Sequence, residues 1–109
     1  MVEKVLICSA SETLRESAKE ILGNKHNLIL CEDINQCPEI ITNGNVKTLL
    51  LDIENQEDVL EWIPNLIISK LIIIANHKST QMAEKAVKLG ASGYLVTPFK
   101  KEALLSCLK

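Results

Sequence analysis

Short aliphatic runs alternate with amphipathic stretches along the whole chain. Val2–Cys8 (VEKVLIC), Asn27–Cys31 (NLILC), Thr48–Ile53 (TLLLDI), Leu71–Ala75 (LIIIA) and Ser92–Val96 read as strands. The third and fourth are apolar at consecutive positions, which implies burial on both faces of a sheet. Ser9-Ala10-Ser11-Glu12 has capping-box spacing, so a helix is predicted from Ser9, with Glu12 reaching back to the Ser9 amide. Leu14, Ala18, Ile21 and Leu22 then share one helical face, and Gly23 supplies the stop. Asp33–Asn43 reads as a weaker helix with Pro38 in its first turn. Asn55 and Asp58 are placed to cap a short helix carrying Val59, Leu60, Trp62 and Ile63, which Pro64 ends. Leu66-Ile67-Ile68 is open between connection and strand. Ser79–Leu89 is predicted helical up to Gly90, and Lys100–Leu108 forms a last helix with Leu104, Leu105 and Leu108 on one side.

Five strands alternating with five helices predict a doubly wound parallel sheet in a single layered domain over residues 1–109. In such folds function gathers where loops leave the carboxyl ends of the strands. Those loops are Cys8–Ser11, Cys31–Asp33, Asp52–Asn55, Ala75–Lys78 and Thr97–Phe99. Composition agrees with the pattern: Leu, Ile and Val supply 35 of the 109 residues, and the aromatics are Trp62, Tyr94 and Phe99 alone. That excludes a nucleic-acid module built on stacked aromatics. A net charge of −2 leaves no electrostatic footprint for nucleic acid or anionic lipid. No apolar run reaches the ~18 residues of a membrane span, and Met1–Ala10 lacks a signal-peptide layout, so the expected location is the cytoplasm. Cys8, Cys31, Cys37 and Cys107 contain no CxxC pair, and His26 and His77 lie far apart, so no zinc spacing is present and no metal ligand is assigned; free thiols are expected.

The carboxyl-edge loops make the chain resemble the receiver domains of two-component response regulators. The resemblance is carried by Lys4-Val5-Leu6-Ile7, by Leu49-Leu50-Leu51-Asp52, and most specifically by Lys88-Leu89-Gly90-Ala91-Ser92-Gly93-Tyr94-Leu95-Val96-Thr97-Pro98-Phe99. It covers the whole chain in order and implies a CheY-like, flavodoxin-like (βα)5 three-layer α/β sandwich of strand order 2-1-3-4-5. It also implies phosphoryl transfer from a histidine kinase to an Asp at the end of strand 3, with Mg²⁺ held by an acid pair after strand 1. A hydroxyl after strand 4 and a Lys after strand 5 touch the phosphoryl oxygens. Charge spread over three oxygens in the transition state is why metal and cation are needed.

Carried over residue by residue, Asp52 stands at the phosphoacceptor position. The acid pair falls on Ser9 and Ala10, the switch hydroxyl on Ala75 and the lysine on Thr97, so none of those groups is retained. Tyr94 matches the switch aromatic, and Thr97–Pro98 a peptide bond that is cis in the family. The loop after Asp52 (Glu54-Asn55-Gln56-Glu57) departs from the family pattern, and the span to Ala75 is shorter than usual.

Each residue has a plainer reading beside this one. Asp52 is a phosphoacceptor, or a solvated carboxylate at a strand end. Glu32, Asp33 and Glu54 on neighbouring loops could add metal ligands, and Lys78 or Lys100 could reach over to a phosphoryl group. Tyr94 is locked inward over the small Ala75, or is a core-edge ring whose hydroxyl reaches water. Cys8 and Cys31, at the ends of neighbouring strands, are a redox pair or, as free cysteines usually are, small buried hydrophobes. His26 and His77 are expected at the surface. Trp62 is core or an exposed contact.

The sequence is thus expected to form a degenerate, or pseudo-, receiver domain, the N-terminal module of a longer, transcription-regulating protein. It is expected to act, without being an enzyme, by dimerising or by holding an output domain through the face of the fourth helix (Met82, Lys85, Lys88, Leu89), the fifth strand and the fifth helix. No cofactor is expected, Mg²⁺ entering only if Asp52 is phosphorylated, and neither nucleic acid nor membrane is a direct partner. The alternatives are a working Asp52 phosphoacceptor with an atypical metal site, fed by a histidine kinase, and a small-ligand sensor in the vacated pocket.

Overall fold

The structure, a computed structural model, describes residues 4–23, 27–44, 46–53, 60–61, 63–65 and 68–108. Five strands, β1 (Lys4–Cys8), β2 (Asn27–Cys31), β3 (Val46–Asp52), β4 (Lys70–Ala75) and β5 (Gly93–Val96), form one sheet of order β2-β1-β3-β4-β5. Every pairing is parallel. This is the predicted flavodoxin-like topology. Four α-helices are described: α1 (Glu12–Leu22), α2 (Cys37–Gly44), α3 (Thr80–Lys88) and α4 (Lys101–Cys107).

The strand side chains alternate between the two faces. Leu6, Cys8, Leu49, Leu51, Leu71, Ile73 and Ala75 pack into one core with Cys37 and Ile41 of α2 and Ala83 and Ala86 of α3. Val5, Ile7, Leu50, Ile72 and Ile74 pack into the other with Ala18 and Leu22 of α1 and Leu104 of α4. Two of the described helices therefore cover each face, and the central strands need aliphatic residues on both sides. The continuous apolar runs LLLD and LIIIA record that double burial.

Several local expectations are corrected. The N-cap of α1 is Ser11, whose Oγ accepts the Leu14 amide at 3.2 Å, and Ser9 is no cap. The Ser9 amide instead donates to the Cys31 carbonyl at 2.9 Å, extending the β1–β2 ladder, so it is unavailable to Glu12. Gly23 caps α1 in a right-handed conformation (φ −58°). It is needed there for space, because a Cβ would lie 2.5 Å from the Lys19 carbonyl oxygen. Gly90 is the glycine that a positive φ requires: at +128° it turns the chain out of α3. The segment 33–43 is a 3₁₀ turn, Ile34–Gln36, running into α2, with Pro38 in the first turn of the α-helix as predicted. Pro64 sits inside the 3₁₀ turn Ile63–Asn65, and most of the helix it is expected to end lies outside the described residues. The predicted caps Asn55 and Asp58, together with Val59, Trp62, Leu66, Ile67, Glu54 and His26, lie outside the described residues.

Candidate functional site

The site is assembled where β1, β3, β4 and β5 deliver their carboxyl ends to one edge. Asp52 is the last residue of β3 and is only 8% exposed, so it is not the solvated carboxylate of the plainer reading. Buried carboxylates need partners. The partner is Ser9, whose hydroxyl donates to Asp52 Oδ2 at 2.6 Å, within the range of strong charge-assisted bonds. The same Ser9 Oγ accepts the Ser11 amide at 3.0 Å. One hydroxyl thus satisfies Asp52 and shapes the entry into α1. Ala10, next along, is exposed and contributes no ligand.

Charge arrives at this loop from α1. Arg15 donates from Nη1 to the Ser9 carbonyl at 2.7 Å, and its Nη2 lies 3.7 Å from Glu32 Oε2. Glu32 is therefore drawn toward Arg15. Asp33 is engaged locally, its Oδ1 accepting the Asn35 amide at 3.0 Å. Neither acid contacts Asp52, and Glu54 lies outside the described residues.

On the β4–β5 side, Ala75 is buried, and its carbonyl accepts the Thr97 amide at 2.8 Å, with Thr97 Oγ1 at 3.4 Å. Thr97 therefore extends the sheet instead of offering a charge. The Thr97–Pro98 bond is cis. Asn76 and the buried Ser79 lock the loop before α3: the Asn76 amide donates to Ser79 Oγ at 3.0 Å, and Asn76 Oδ1 accepts the Lys78 amide at 2.8 Å. Lys78 and Lys100 are exposed. Tyr94 is 38% exposed, so its ring is not locked inward over Ala75.

A cavity of about 300 Å³ opens beside Asp52. Its polar lining is Ser11, Thr13, Ser17, Asp52, Asn76 and Thr97, above Leu14 and Phe99. Among the described residues no lysine or arginine belongs to this lining. Hydroxyl and amide groups can orient a small polar ligand there, but they cannot offset the charge of a phosphoryl group as a metal and a lysine do.

The cysteines are free. Cys8 and Cys31 face each other across the β1–β2 register, and Cys37 joins them from α2. The hydrogen bond with Cys37, followed by burial, pushes the Cys8 thiol well above its ordinary value. Burial raises Cys31 and, on the opposite core, Cys107. Unfolded cysteines ionise near pH 8.5, so above that pH the unfolded chain releases protons that the native chain retains. Stability is therefore expected to hold constant through neutrality and then fall, by about 1.4 kcal/mol per pH unit from Cys8 alone. Urea midpoints of the reduced, metal-free chain at pH 7.5 and 9.5 check this, and Cys8→Ala is expected to flatten the slope. Equal midpoints at the two pH values would contradict it.

Sequence reasoning missed Arg15, Cys37 and the Asn76–Ser79 pair. Arg15 carried a weak signal as a basic residue in the first half of a helix, where the macrodipole disfavours it. For Cys37 the signal was a third cysteine opening the helix directly after β2. His77 is exposed, as expected.

No family model matches the chain. It is 29% identical to a response regulator described as NtrX-like from Rickettsia typhi, over 96% of this chain and 24% of that protein. It is 24% identical to the transcriptional regulatory protein DegU of Brevibacillus brevis, over 97% of this chain and 48% of that one. The chain thus spans about a quarter and about half of the lengths of these curated relatives. Among solved structures, the signal receiver domain of a LuxO repressor protein from Vibrio parahaemolyticus superposes with a TM-score of 0.86 at 23% identity, over 99% of this chain and 88% of that one. The fold is that of the receiver domains, and the sequence relatives are response regulators, as the resemblance to receiver domains implies. Among the described residues no helix is long and apolar enough to cross a membrane.

Proposed function

We propose that this chain is a pseudo-receiver: a non-enzymatic signalling module of a cytoplasmic response regulator that works by protein contact without phosphorylation of Asp52. The observation that carries the proposal is the 2.6 Å hydrogen bond from Ser9 to Asp52. A neutral hydroxyl occupies the place where receivers carry an acid, so the carboxylate is already satisfied and, among the described residues, Mg²⁺ is left with one protein carboxylate instead of three. Mg²⁺ demands hard oxygen ligands in near-octahedral geometry and gives up water reluctantly. The contact surface is the α3–β5–α4 face. Three of the large exposed apolar side chains, Val87, Leu89 (41% exposed) and Tyr94, lie on α3, its C-cap and β5. Through it the domain holds a second copy or an output domain that regulates transcription.

The test is incubation with beryllofluoride or acetyl phosphate and Mg²⁺, followed by NMR, alongside sedimentation. The expected result is no saturable shift at Asp52 or Tyr94, and self-association that Leu89→Glu weakens by roughly tenfold or more. Large saturable shifts would overturn the proposal in favour of an Asp52 phosphoacceptor served by a histidine kinase and an atypical metal site. The cavity favours a second reading, a sensor for a small polar ligand. A thermal shift from a metabolite library that disappears in Asp52→Ala would support it.

A further inference from the structure

Three buried thiols converge on the sheet face opposite α1. Cys8 and Cys31 are register partners at the carboxyl ends of β1 and β2, and Cys37 opens α2, which packs on the same core. Their sulfur atoms all lie within 4.8 Å of one another. Cys8 and Cys37 are fully buried, and Cys31 is 5% exposed. None of the three lines the cavity at Asp52, so this cluster is separate from the phosphoacceptor position.

We propose that Cys8, Cys31 and Cys37 form a three-thiolate site for a thiophilic d¹⁰ cation, with Cu(I) as the occupant. Geometry is the first argument. Thiolates at about 2.3 Å from a metal in a trigonal plane stand about 4.0 Å apart, so sulfurs already within 4.8 Å need to close by less than about 1 Å. Ligand chemistry is the second. Thiolates select soft cations, while Zn²⁺ takes four ligands. Among the described residues, the His, Cys, Asp and Glu side chains that converge here are the three thiols alone, which suits the three-coordinate ion. The surroundings are the third. The Cys31 S–H points at the Asp33 carbonyl 3.0 Å away, with Gln36 Oε1 at 3.7 Å. Asp33 and Gln36 are exposed, so the β2–α2 turn is the mouth through which a cation enters. Once Cys31 is a thiolate, the Gln36 side chain can turn its amide to donate to the sulfur. Each cysteine that ligates loses one proton to solvent and no electron moves.

The test is an anaerobic titration of the reduced chain with Cu(I) against a chromophoric Cu(I) chelator. The expected result is one Cu(I) per chain with thiolate-to-metal absorption in the near ultraviolet. Cys37→Ser is expected to weaken binding by roughly 100-fold or more. Cys107→Ser, on α4 in the opposite core, is expected to leave it unchanged. Should the serine variants fail to fold, alkylation of the unaltered chain in mild urea decides: bound Cu(I) is expected to protect Cys8, Cys31 and Cys37 together while Cys107 reacts. Uptake of Zn²⁺ but not Cu(I) would overturn the three-coordinate assignment. Protection of Cys107 alone, no uptake by the reduced chain, or a Cys8–Cys31 disulfide in a chain that takes no Cu(I), would overturn the site.

Discussion

Converting Ser9 and Ala10 to aspartate is expected to lower stability by about 3 kcal/mol in EDTA and to restore most of it in excess Mg²⁺. The starting point is the Ser9 hydroxyl, 2.6 Å from Asp52 in a site where both residues are buried. An aspartate there replaces a donor with a second acceptor. Two carboxylates in one buried site cannot both ionise freely, and raising one of them by about two pKa units costs about 2.7 kcal/mol at neutral pH. Losing the Ser9–Asp52 bond adds to this, and relaxation of the exposed loop at Ala10 offsets part of it. A divalent cation reverses the sign, because the paired carboxylates become its ligands. Binding at one hundred times the dissociation constant returns about 2.7 kcal/mol. Among the described residues no second carboxylate contacts Asp52, so the urea midpoint of the unaltered chain is expected to ignore Mg²⁺. Adding Thr97→Lys supplies the cation that Thr97 cannot, and this triple variant is expected to take up phosphoryl groups from acetyl phosphate while the unaltered chain does not. Equal midpoints for the double variant in EDTA and Mg²⁺ would show that the loop geometry, and not only the lost charges, has drifted from a receiver's.

The sheet was legible in the sequence because its residues answer to one dominant force. Leu49-Leu50-Leu51 and Leu71-Ile72-Ile73-Ile74-Ala75 are apolar at every position since each strand is buried on both faces, and runs this short suit a strand of a covered parallel sheet. Helix α1 was legible for the same reason, its buried Ala18 and Leu22 lying on the stripe that includes Leu14 and Ile21. Ser9 shows where legibility stops. Its capping-box spacing was real, but caps compete with longer-range partners. The strand ladder claimed its amide and Asp52 its hydroxyl, and the helix began at Glu12 behind a second serine that caps as well. That positions 9 and 10 carry no carboxylate is read directly from the sequence, whereas the hydrogen bond that joins Ser9 to Asp52 across 43 residues is not. The cysteine cluster was hidden similarly: its members come from two strands and a helix, and metal-site patterns in sequence are local. Tyr94 had two readings because exposure of an edge ring depends on what packs beside it, which no local pattern encodes.

Leu50→Ala is expected to cost about 3–4 kcal/mol, the largest single effect of any conservative truncation proposed for this chain. Leu50 lies in the middle strand of the sheet, between its register partners Ile7 of β1 and Ile72 of β4. It is fully buried in the core that α1 and α4 cover. Truncation removes three carbons from contact with both neighbouring strands and the helices above. The flanking strands are fixed by ladders on both sides, so they cannot close the space, and the cavity term is added to the transfer term. A domain of this size has about 5–15 kcal/mol to lose, so the variant keeps its fold but unfolds roughly 15–25 °C lower. A volume-conserving Leu50→Met change is expected to cost less than about 1.5 kcal/mol, which separates the loss of packing from any disturbance of β3 itself. The comparison also bears on the site. Asp52 is two residues along the same strand, on the same face as Leu50 by strand alternation, and it lines the cavity that Leu14 of α1 closes from below. If α1 settles into the vacated volume, the Ser9–Asp52 bond is carried with it, and the Asp52 resonance is expected to shift in Leu50→Ala but not in Leu50→Met. A melting point within about 5 °C of the unaltered chain's would mean that α1 repacks freely, and that the geometry around Asp52 is less rigidly held than its hydrogen bonds imply.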